Sequence, residues 1–317
     1  MAGVSPITVS RVLNRPEIVA PGTIESVRRV IERTGYVPNL LAGGLASSRT
    51  RFVAAIVPAI SNQVFSESIQ ALTDRLWESG YQMLLGTSGY PTSREDALLA
   101  AILSRRPDGL FLTGITHSDE SRRRLIRARI PVVEVWDLTP TPIDMLVGFS
   151  HGKVGEAVAE YLVAKGHGRF GLVTADDARA EVRNSGFRSM LERHGFVDVA
   201  TAIVPAPSNF RLGRQGLTRL LELGPLPRAV FCSSDTLAHG VLMEAQARGL
   251  SVPDDLAIVG FGDLNFAAHT FPALSTVWID RVAVGRKAAE ALLSRFEGRE
   301  AERIVDVGFR VVERETS

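Results

Sequence analysis

The sequence predicts an α/β protein in which two doubly wound, parallel-sheet subdomains follow a small helical unit. From residue 52 onward, short apolar segments alternate with longer amphipathic ones, which is typical of parallel strands covered on both faces by helices. The alternation runs through two series of similar size, and this indicates two sheets with a cleft between them. Residues 1–36 have a helical pattern instead.

The first element is a short helix within residues 3–14, which read GVSPITVSRVLN. Ser5 is a good N-cap because its hydroxyl can accept a hydrogen bond from a free backbone N–H, and the proline after it suits the first helical position. Val9, Val12 and Leu13 form one apolar face. The opposite face carries hydroxyl, guanidinium and amide groups, which suit the major groove of DNA. The alternative is an ordinary surface helix, which is what most short amphipathic helices are.

A break at Arg15-Pro16 precedes a second helix, which extends to Thr34. Its apolar residues recur at helical spacing, as Ile24, Val27, Val30 and Ile31. Residues 38–47 then read PNLLAGGLAS, where each of the two glycines costs a helix about 1 kcal/mol relative to alanine. This segment is therefore either a marginal helix or a plain linker.

The string AGVSPITVSRVLN, the second helix, the segment GYVPN and the Ala/Leu-rich segment after it resemble the headpiece of lactose-repressor-family transcription regulators. The resemblance implies a helix-turn-helix unit that binds double-stranded operator DNA within a homodimer or a tetramer. It also implies a hinge helix whose leucine inserts between base steps in the minor groove. The candidate DNA-binding residues are Ile7, Thr8, Ser10, Arg11, Asn14, Asn39 and Leu45.

The domain organisation follows from the same resemblance. Members of the family have a further helix ahead of the position of Gly3, whereas this sequence begins inside the turn. We therefore expect residues 1–36 to form an incomplete headpiece, truncated at its N-terminus, and residues 37–50 to form the hinge. Residues 51–317 then form the effector-binding and dimerisation domain, which is periplasmic-binding-protein-like. Its first subdomain is expected at 51–149 plus 279–303, and its second at 150–278 plus 304–317.

Within this domain we expect nine strands in the two series, with amphipathic helices between them. The strands are expected at 52–57, 82–86, 109–113, 132–135, 144–149, 169–174, 202–205, 229–233 and 256–260. The helices are expected at 64–79, 93–106, 118–128, 152–165, 182–194, 211–223 and 236–248. The last strands, at 277–279 and 304–309, and the helix at 282–296 are expected to cross back, so that neither subdomain is contiguous.

Ligands of open parallel sheets bind beyond the carboxyl ends of the strands. The loops at those ends carry hydroxyls, amides, acids and aromatic rings, a mixture that suits a small polyhydroxylated ligand. Arg183 can bind a carboxylate through two hydrogen bonds, and it matches an effector-contacting Arg of the resembled family. The family commonly has Asp where this chain has Gly262, with Asp263 one residue along. The candidate effector-binding residues are Gln63, Phe65, Ser88, Thr113, Arg183, Phe210, Phe231, Asp235 and Asp263.

Within the family, the chain is most similar to regulators of gluconate utilisation. The similar strings include SNQVFSE at 61–67, IPVVEVWD at 130–137 and VFCSSD at 230–235. This likeness implies a transcription repressor that is controlled by a small sugar or sugar-acid effector such as gluconate. It leaves open whether effector binding weakens or strengthens the binding of operator DNA.

The composition excludes other classes. A single cysteine excludes a disulfide framework, and the six histidines lack metal-ligand spacing, so we expect no metal. The phosphate-binding and nucleophile motifs are absent as well, so we expect no cofactor and no enzyme. Residues 1–51 hold seven Arg and three Glu, against 29 basic and 32 acidic residues in the rest, which places a basic end on a slightly acidic body.

The same sequence has neither a signal-peptide pattern nor an apolar run of the roughly 18 residues that span a membrane, so we expect a cytoplasmic protein without membrane contact. A periplasmic-type sugar-binding protein without a DNA-binding role is the alternative. Its two-lobed body would have the same pattern from residue 52 onward.

Overall fold

The structure is a computed structural model that describes residues 2–36, 49–60, 63–89 and 92–317. The chain divides into two compact units, Met1–Thr50 and Arg51–Ser317. The first unit is helical, and the second consists of two α/β lobes.

The first unit contains two helices that pack on each other. They are α1 (Pro6–Asn14) and α2 (Pro21–Thr34), with a 3-10 turn at Pro16–Ile18 between them. The hydroxyl of Ser5 accepts a hydrogen bond from the amide of Thr8, so the predicted N-cap is confirmed. Val12 and Val27 are buried, but Leu13, which we expected on the apolar face, is 39% exposed.

The first lobe begins with a strand–helix series. Its elements are β1 (Phe52–Val57), α3 (Ser66–Glu78), β2 (Gln82–Thr87), α4 (Thr92–Leu103), β3 (Gly109–Thr113), α5 (Asp119–Ala128), β4 (Val132–Val135) and β5 (Met145–Gly148). Together with β11 (Ile304–Asp306) the strands form a parallel sheet in the order β11-β5-β4-β3-β1-β2. The inner strands are buried on both faces, as parallel sheets between helices are.

The second lobe repeats the arrangement with four strands. Its elements are α6 (His151–Ala164), β6 (Phe170–Ala175), α7 (Ala178–Arg193), β7 (Val199–Val204), α8 (Phe210–Leu223), β8 (Ala229–Cys232), α9 (Asp235–Ala247) and β9 (Ala257–Val259). The strands are parallel in the order β7-β6-β8-β9. The predicted α/β fold with parallel sheets is confirmed.

The chain passes between the lobes three times. After β9 it forms β10 (Thr276–Trp278), then α10 (Arg281–Phe296), which packs on α3 of the first lobe. It then adds β11 to the first sheet beside β5 and returns through β12 (Arg310–Val312), which pairs with β10 in antiparallel fashion. The expected boundary at residue 304 is therefore wrong, because Ile304–Asp306 extends the first sheet and the last crossing follows it.

Glycines bring the helices α6 and α7 into contact backbone to backbone. A Cβ atom on Gly155 would collide with the carbonyl oxygen of Arg183, and one on Gly186 would collide with that of Gly152. Because the two helices touch at these points, the start of α6 lies directly beside the middle of α7. This contact places His151, the first residue of α6, within hydrogen-bonding distance of Arg183.

The described part of the chain has neither a membrane span nor a metal cluster. No helix in it is both long and apolar enough to cross a bilayer. No three side chains of His, Cys, Asp or Glu lie together there in a way that could hold a metal ion.

Candidate functional site

A cleft lies between the two lobes at the carboxyl ends of their strands. Its volume is about 60 Å³, well below the range of about 300–1,000 Å³ that is usual for ligand pockets. From the first lobe it is lined by Gln63, Val64, Phe65 and Trp136. From the second lobe it is lined by His151, Ala175, Asp177, Arg179, Arg183, Ala206, Pro207, Ser208, Ser233, Ser234, Thr236 and Phe261.

Arg183 is the central cation of this cleft, and it is 4% exposed. Its Nη1 donates a hydrogen bond to Nδ1 of His151 at 2.8 Å, and its Nη2 donates one to the carbonyl oxygen of Ser233 at 3.0 Å. Its guanidinium carbon lies 4.0 Å from the ring centroid of Phe261. Among the described residues, Nε has no hydrogen-bond partner and no carboxylate lies within 4 Å of the guanidinium. Burial lowers the pKa of Arg183 to about 10, so the group is a buried charge with neutral direct partners.

His151 connects this cation to the first lobe. Because Nδ1 accepts from Arg183, the ring proton is assigned to Nε2, which donates to the carbonyl oxygen of Trp136 at 2.8 Å. Burial, and then the charges of Arg183 and Arg179, hold the pKa of His151 well below its usual value. The imidazole is therefore neutral in the folded protein.

Trp136 follows β4 directly and has an unusual backbone. Its φ is +77°, a left-handed conformation that is uncommon and strained for a bulky residue. The indole is buried, and its Nε1 has no hydrogen-bond partner among the described residues. Strain and an unpaired buried donor both occur preferentially at functional sites.

A second arginine, Arg179, lies one turn before Arg183 on α7. Its Nη1 lies 3.6 Å from Oδ2 of Asp137, and its guanidinium carbon lies 5.4 Å from the ring centroid of Phe65. Burial raises the pKa of Asp137, although the two arginines oppose this shift. The cleft therefore combines two guanidinium groups with the carboxyl group of Asp177, and the carboxyl group of Asp137 lies beside Arg179.

Three predicted effector-binding residues line the cleft, namely Gln63, Phe65 and Arg183. The others lie elsewhere. Ser88 is buried and donates a hydrogen bond to the carbonyl oxygen of Gly89. The hydroxyl of Thr113 is buried, and it has no hydrogen-bond partner in the described part of the chain.

The predicted second-lobe residues other than Arg183 point away from the cleft. Phe231 is fully buried against Phe187, with 5.4 Å between the ring centroids. Phe210 is 43% exposed on an outer face of the lobe, beside His239. Neither ring lines the cleft, because a position at the end of a strand or helix does not determine which way the side chain points.

The two predicted aspartates have structural partners. Asp235 is fully buried, and its carboxylate accepts hydrogen bonds from Thr276 Oγ1 at 2.5 Å and from the amide of Leu264 at 2.7 Å. Burial raises its pKa to about 6. Asp263 forms an ion pair with Arg314 at 2.7 Å. Neither side chain lines the cleft.

The prediction missed Trp136, His151 and Phe261. A signal existed for His151, because it follows the segment 144–149 that was itself predicted to be a strand. The rule that selected the other loops also applies to this position. Trp136 carried no such signal, since its importance depends on a backbone conformation that residue types do not reveal.

A second buried charge cluster lies in the first lobe. The imidazole of His117 lies between two carboxylates, with Nδ1 2.6 Å from Oε1 of Glu95 and Nε2 3.3 Å from Oε1 of Glu134. Desolvation opposes protonation, but these two carboxylates outweigh it and raise the pKa of His117 to about 9. The group is therefore a buried imidazolium at neutral pH.

The first unit presents the predicted DNA-binding face on α1. Ile7, Ser10 and Arg11 are exposed, and the hydroxyl of Thr8 lies 3.0 Å from that of Ser5. Asn39 and Leu45, like the side chain of Asn14, lie outside the described part of the chain.

Comparison with known proteins covers both units. Residues 1–39 match the model of bacterial regulatory proteins of the lacI family, and residues 159–317 match a periplasmic binding protein-like domain. The HTH-type transcriptional regulator GntR of Pseudomonas aeruginosa is 38% identical over all of this chain and 93% of the relative.

Two solved structures are also similar. The transcription regulator GntR from Chromobacterium violaceum has a TM-score of 0.81 at 38% identity and covers 84% of this chain and 99% of its own. A Lacl family transcriptional regulator from Silicibacter pomeroyi has a TM-score of 0.93 at 32% identity, and it covers 99% of this chain and 96% of its own.

Proposed function

The chain belongs to the LacI family of bacterial regulatory proteins and is a DNA-binding transcription regulator, and we propose that it is a repressor controlled by an acidic sugar such as gluconate. The match of residues 1–39 to a DNA-binding family argues against the alternative of a transport protein with the same two-lobed body. As a DNA-binding transcription regulator, the protein would act in the cytoplasm.

The observation that carries the effector class is the buried charge of Arg183, which no carboxylate of the described residues contacts directly, although Asp177 and Asp137 act on it from a distance. A buried ion is costly unless a partner of opposite charge neutralises it, and the direct partners of this guanidinium are an imidazole nitrogen, a carbonyl oxygen and an aromatic ring. A carboxylate is the group that a guanidinium binds best. An effector with a carboxylate would therefore supply a counter-charge in direct contact with the guanidinium, whereas a neutral sugar would not.

The rest of the lining supports a polyhydroxylated chain attached to that carboxylate. Gln63, Ser208, Ser234 and Thr236 offer amide and hydroxyl groups that can hydrogen bond with sugar hydroxyls. The rings of Phe65, Trp136 and Phe261 offer apolar faces to the carbon backbone. Because the cleft is small, such a ligand would enter only when the lobes move apart, and this couples its binding to lobe orientation.

The proposed DNA-bound form is a homodimer or a tetramer. One face of the second lobe supports association, because Phe210 and Met243 lie together there and expose 43% and 38% of their surface. Exposed apolar patches of this kind mark interaction surfaces. Operator contact would come from α1, with Arg11 on a base edge and with Ser10 and Thr8 on phosphates.

Calorimetry on the full chain tests the effector class. We expect gluconate to bind and glucose, the neutral counterpart, not to bind. Arg183→Gln should weaken gluconate binding by about 10- to 100-fold, the usual value of a hydrogen-bonded charge. The matched control is Arg193→Gln, at the exposed end of the same helix. Equal binding of the two sugars, or full affinity in Arg183→Gln, would overturn the proposal.

A further inference from the structure

His151 occupies the point where the chain first passes from one lobe to the other. It is the first residue of α6, and β5 of the first lobe ends at Gly148. One ring nitrogen accepts from Arg183 of the second lobe and the other donates to the carbonyl oxygen of Trp136 in the first, both at 2.8 Å. The imidazole therefore forms one buried link between the two lobes, beside the contacts of Arg179 with Asp137 and Phe65.

The charged groups around this ring come from two elements. Arg183 and Arg179 face it from α7, and Oδ1 of Asp137 lies 3.5 Å from its Nε2 beyond β4. The rings of Phe149 and Phe261 cover it at centroid distances of 4.6 and 6.0 Å. With one nitrogen accepting and the other donating, only the neutral Nε2–H form satisfies both hydrogen bonds.

The ring has little freedom to move apart from Arg183. Its helix touches α7 backbone to backbone at Gly152, Gly155 and Gly186, so His151 and Arg183 belong to one rigid block. On the other side, the Trp136 carbonyl is held in a left-handed backbone conformation that packing must sustain. A change at Arg183 therefore reaches the end of β4 through His151.

We propose that His151 is a positioning residue that transmits the occupancy of Arg183 to the first lobe, through its hydrogen bond to Trp136. This inference rests on the proposed function, since it assumes that an acidic effector binds at Arg183. An anion that binds the guanidinium changes the direction of Nη1. The hydrogen bonds of the imidazole then transmit this change to the end of β4. When the imidazole is removed, the effector can still bind Arg183, but its binding no longer changes the first lobe.

The first test measures coupling between effector and operator on the full chain. Operator affinity is measured by fluorescence anisotropy at fixed salt, with and without saturating gluconate, for the unaltered protein, His151→Asn and His151→Gln. Asn retains an acceptor near the Nδ1 position and Gln a donor near the Nε2 position, so neither spans both partners. His167→Gln is the control, beyond the other end of α6.

In the unaltered protein and in His167→Gln, gluconate should change operator affinity by about 5- to 150-fold, the usual size of allosteric coupling. In both His151 variants this factor should fall below about twofold at gluconate concentrations that saturate each variant. A merely structural role would weaken operator binding equally with and without gluconate. The ratio of these two operator affinities would then stay as it is in the unaltered protein. Retention of the ratio in the His151 variants would overturn the proposal.

The second test needs no effector. Nitrogen NMR of histidine-labelled protein, with the His151 signals identified by their loss in His151→Gln, should show the neutral Nε2–H form at neutral pH and protonation only below the ordinary range of histidine. Arg183→Gln should shift the Nδ1 signal, because that nitrogen loses its donor. An Nδ1–H form, or ordinary titration, would overturn the proposal. If gluconate leaves the operator affinity of the unaltered protein unchanged, the proposed function fails, and the NMR measurement then decides only whether His151 bridges Arg183 and Trp136 in the neutral form.

Discussion

The Nδ1 atom of His117 lies 2.6 Å from Oε1 of Glu95, and this contact joins the loop after β3 to helix α4. On the other side of the ring, Glu134 extends the contact to β4. The imidazolium therefore links three elements of the first lobe, and its charge contributes to the stability of that lobe.

The first prediction is a loss of stability at alkaline pH. The folded pKa of His117 is raised to about 9, above the ordinary value of about 6.5, so the folded state binds the proton more tightly. Its contribution to the free energy of unfolding amounts to about 3 kcal/mol. This contribution is complete below pH 6.5 and is lost as pH rises through about 9. Urea unfolding at several pH values should show this slope, and His117→Gln should remove it. An unchanged slope in the variant would contradict the assignment.

The second prediction is an opposite slope at acidic pH. The folded pKa of His151 lies well below 6.5, so the unfolded state binds the proton more tightly. Stability should therefore fall as pH decreases below about 6.5, and His151→Gln should reduce this slope. The same unfolding series provides the measurement. The control is His269→Gln, since His269 is exposed. A variant as acid-sensitive as the unaltered protein would count against a buried neutral imidazole.

The third prediction concerns Arg11, whose side chain is exposed on α1. If it contacts a guanine, Arg11→Ala should cost about 1–3 kcal/mol of operator binding and relax the preference at one base pair. Anisotropy with a set of operators that differ at single positions measures both effects. Arg28→Ala removes an exposed charge from α2 and controls for net charge. Equal weakening on every operator would instead place Arg11 on a phosphate.

The fourth prediction tests the contact between α6 and α7. Gly186→Ala should destabilise the second lobe by at least about 1–3 kcal/mol, because its methyl group would collide with the Gly152 carbonyl. Gly152→Ala is the matched control, since the nearest atom to its Cβ is Ser150 Oγ at 3.9 Å. Both variants are compared by urea unfolding. Equal stability of the two would mean that the helices can separate.

The sheets could be predicted closely from the sequence, because strands buried on both faces are short and apolar. The segment 109–113 was expected as a strand and is observed as Gly109–Thr113. The last crossing was placed too early, because Ile304–Asp306 has the same pattern whichever sheet it joins. Which strand a segment pairs with depends on residues that are distant in sequence, so local sequence patterns do not determine it.

The site could be predicted only in part. Arg183 stood out because its residue type and its family position agreed, and it lines the cleft. Phe231 is at the end of a strand, like the lining residues, but it faces the core. The pairing of His117 with Glu95 and Glu134 was not anticipated, because the three residues are far apart in sequence and meet only in the fold.

The small volume of the cleft has a kinetic consequence. The cleft of about 60 Å³ is well below the usual size of a ligand pocket, so association of the proposed effector would wait for the lobes to open. The observed binding rate should then rise with effector concentration only until it reaches the opening rate, and above that it should level off. The apparent affinity is likewise reduced by the fraction of molecules that are open. If the proposed effector binds here, the speed of the transcriptional response would be set by the hinge between the lobes, however abundant the effector becomes.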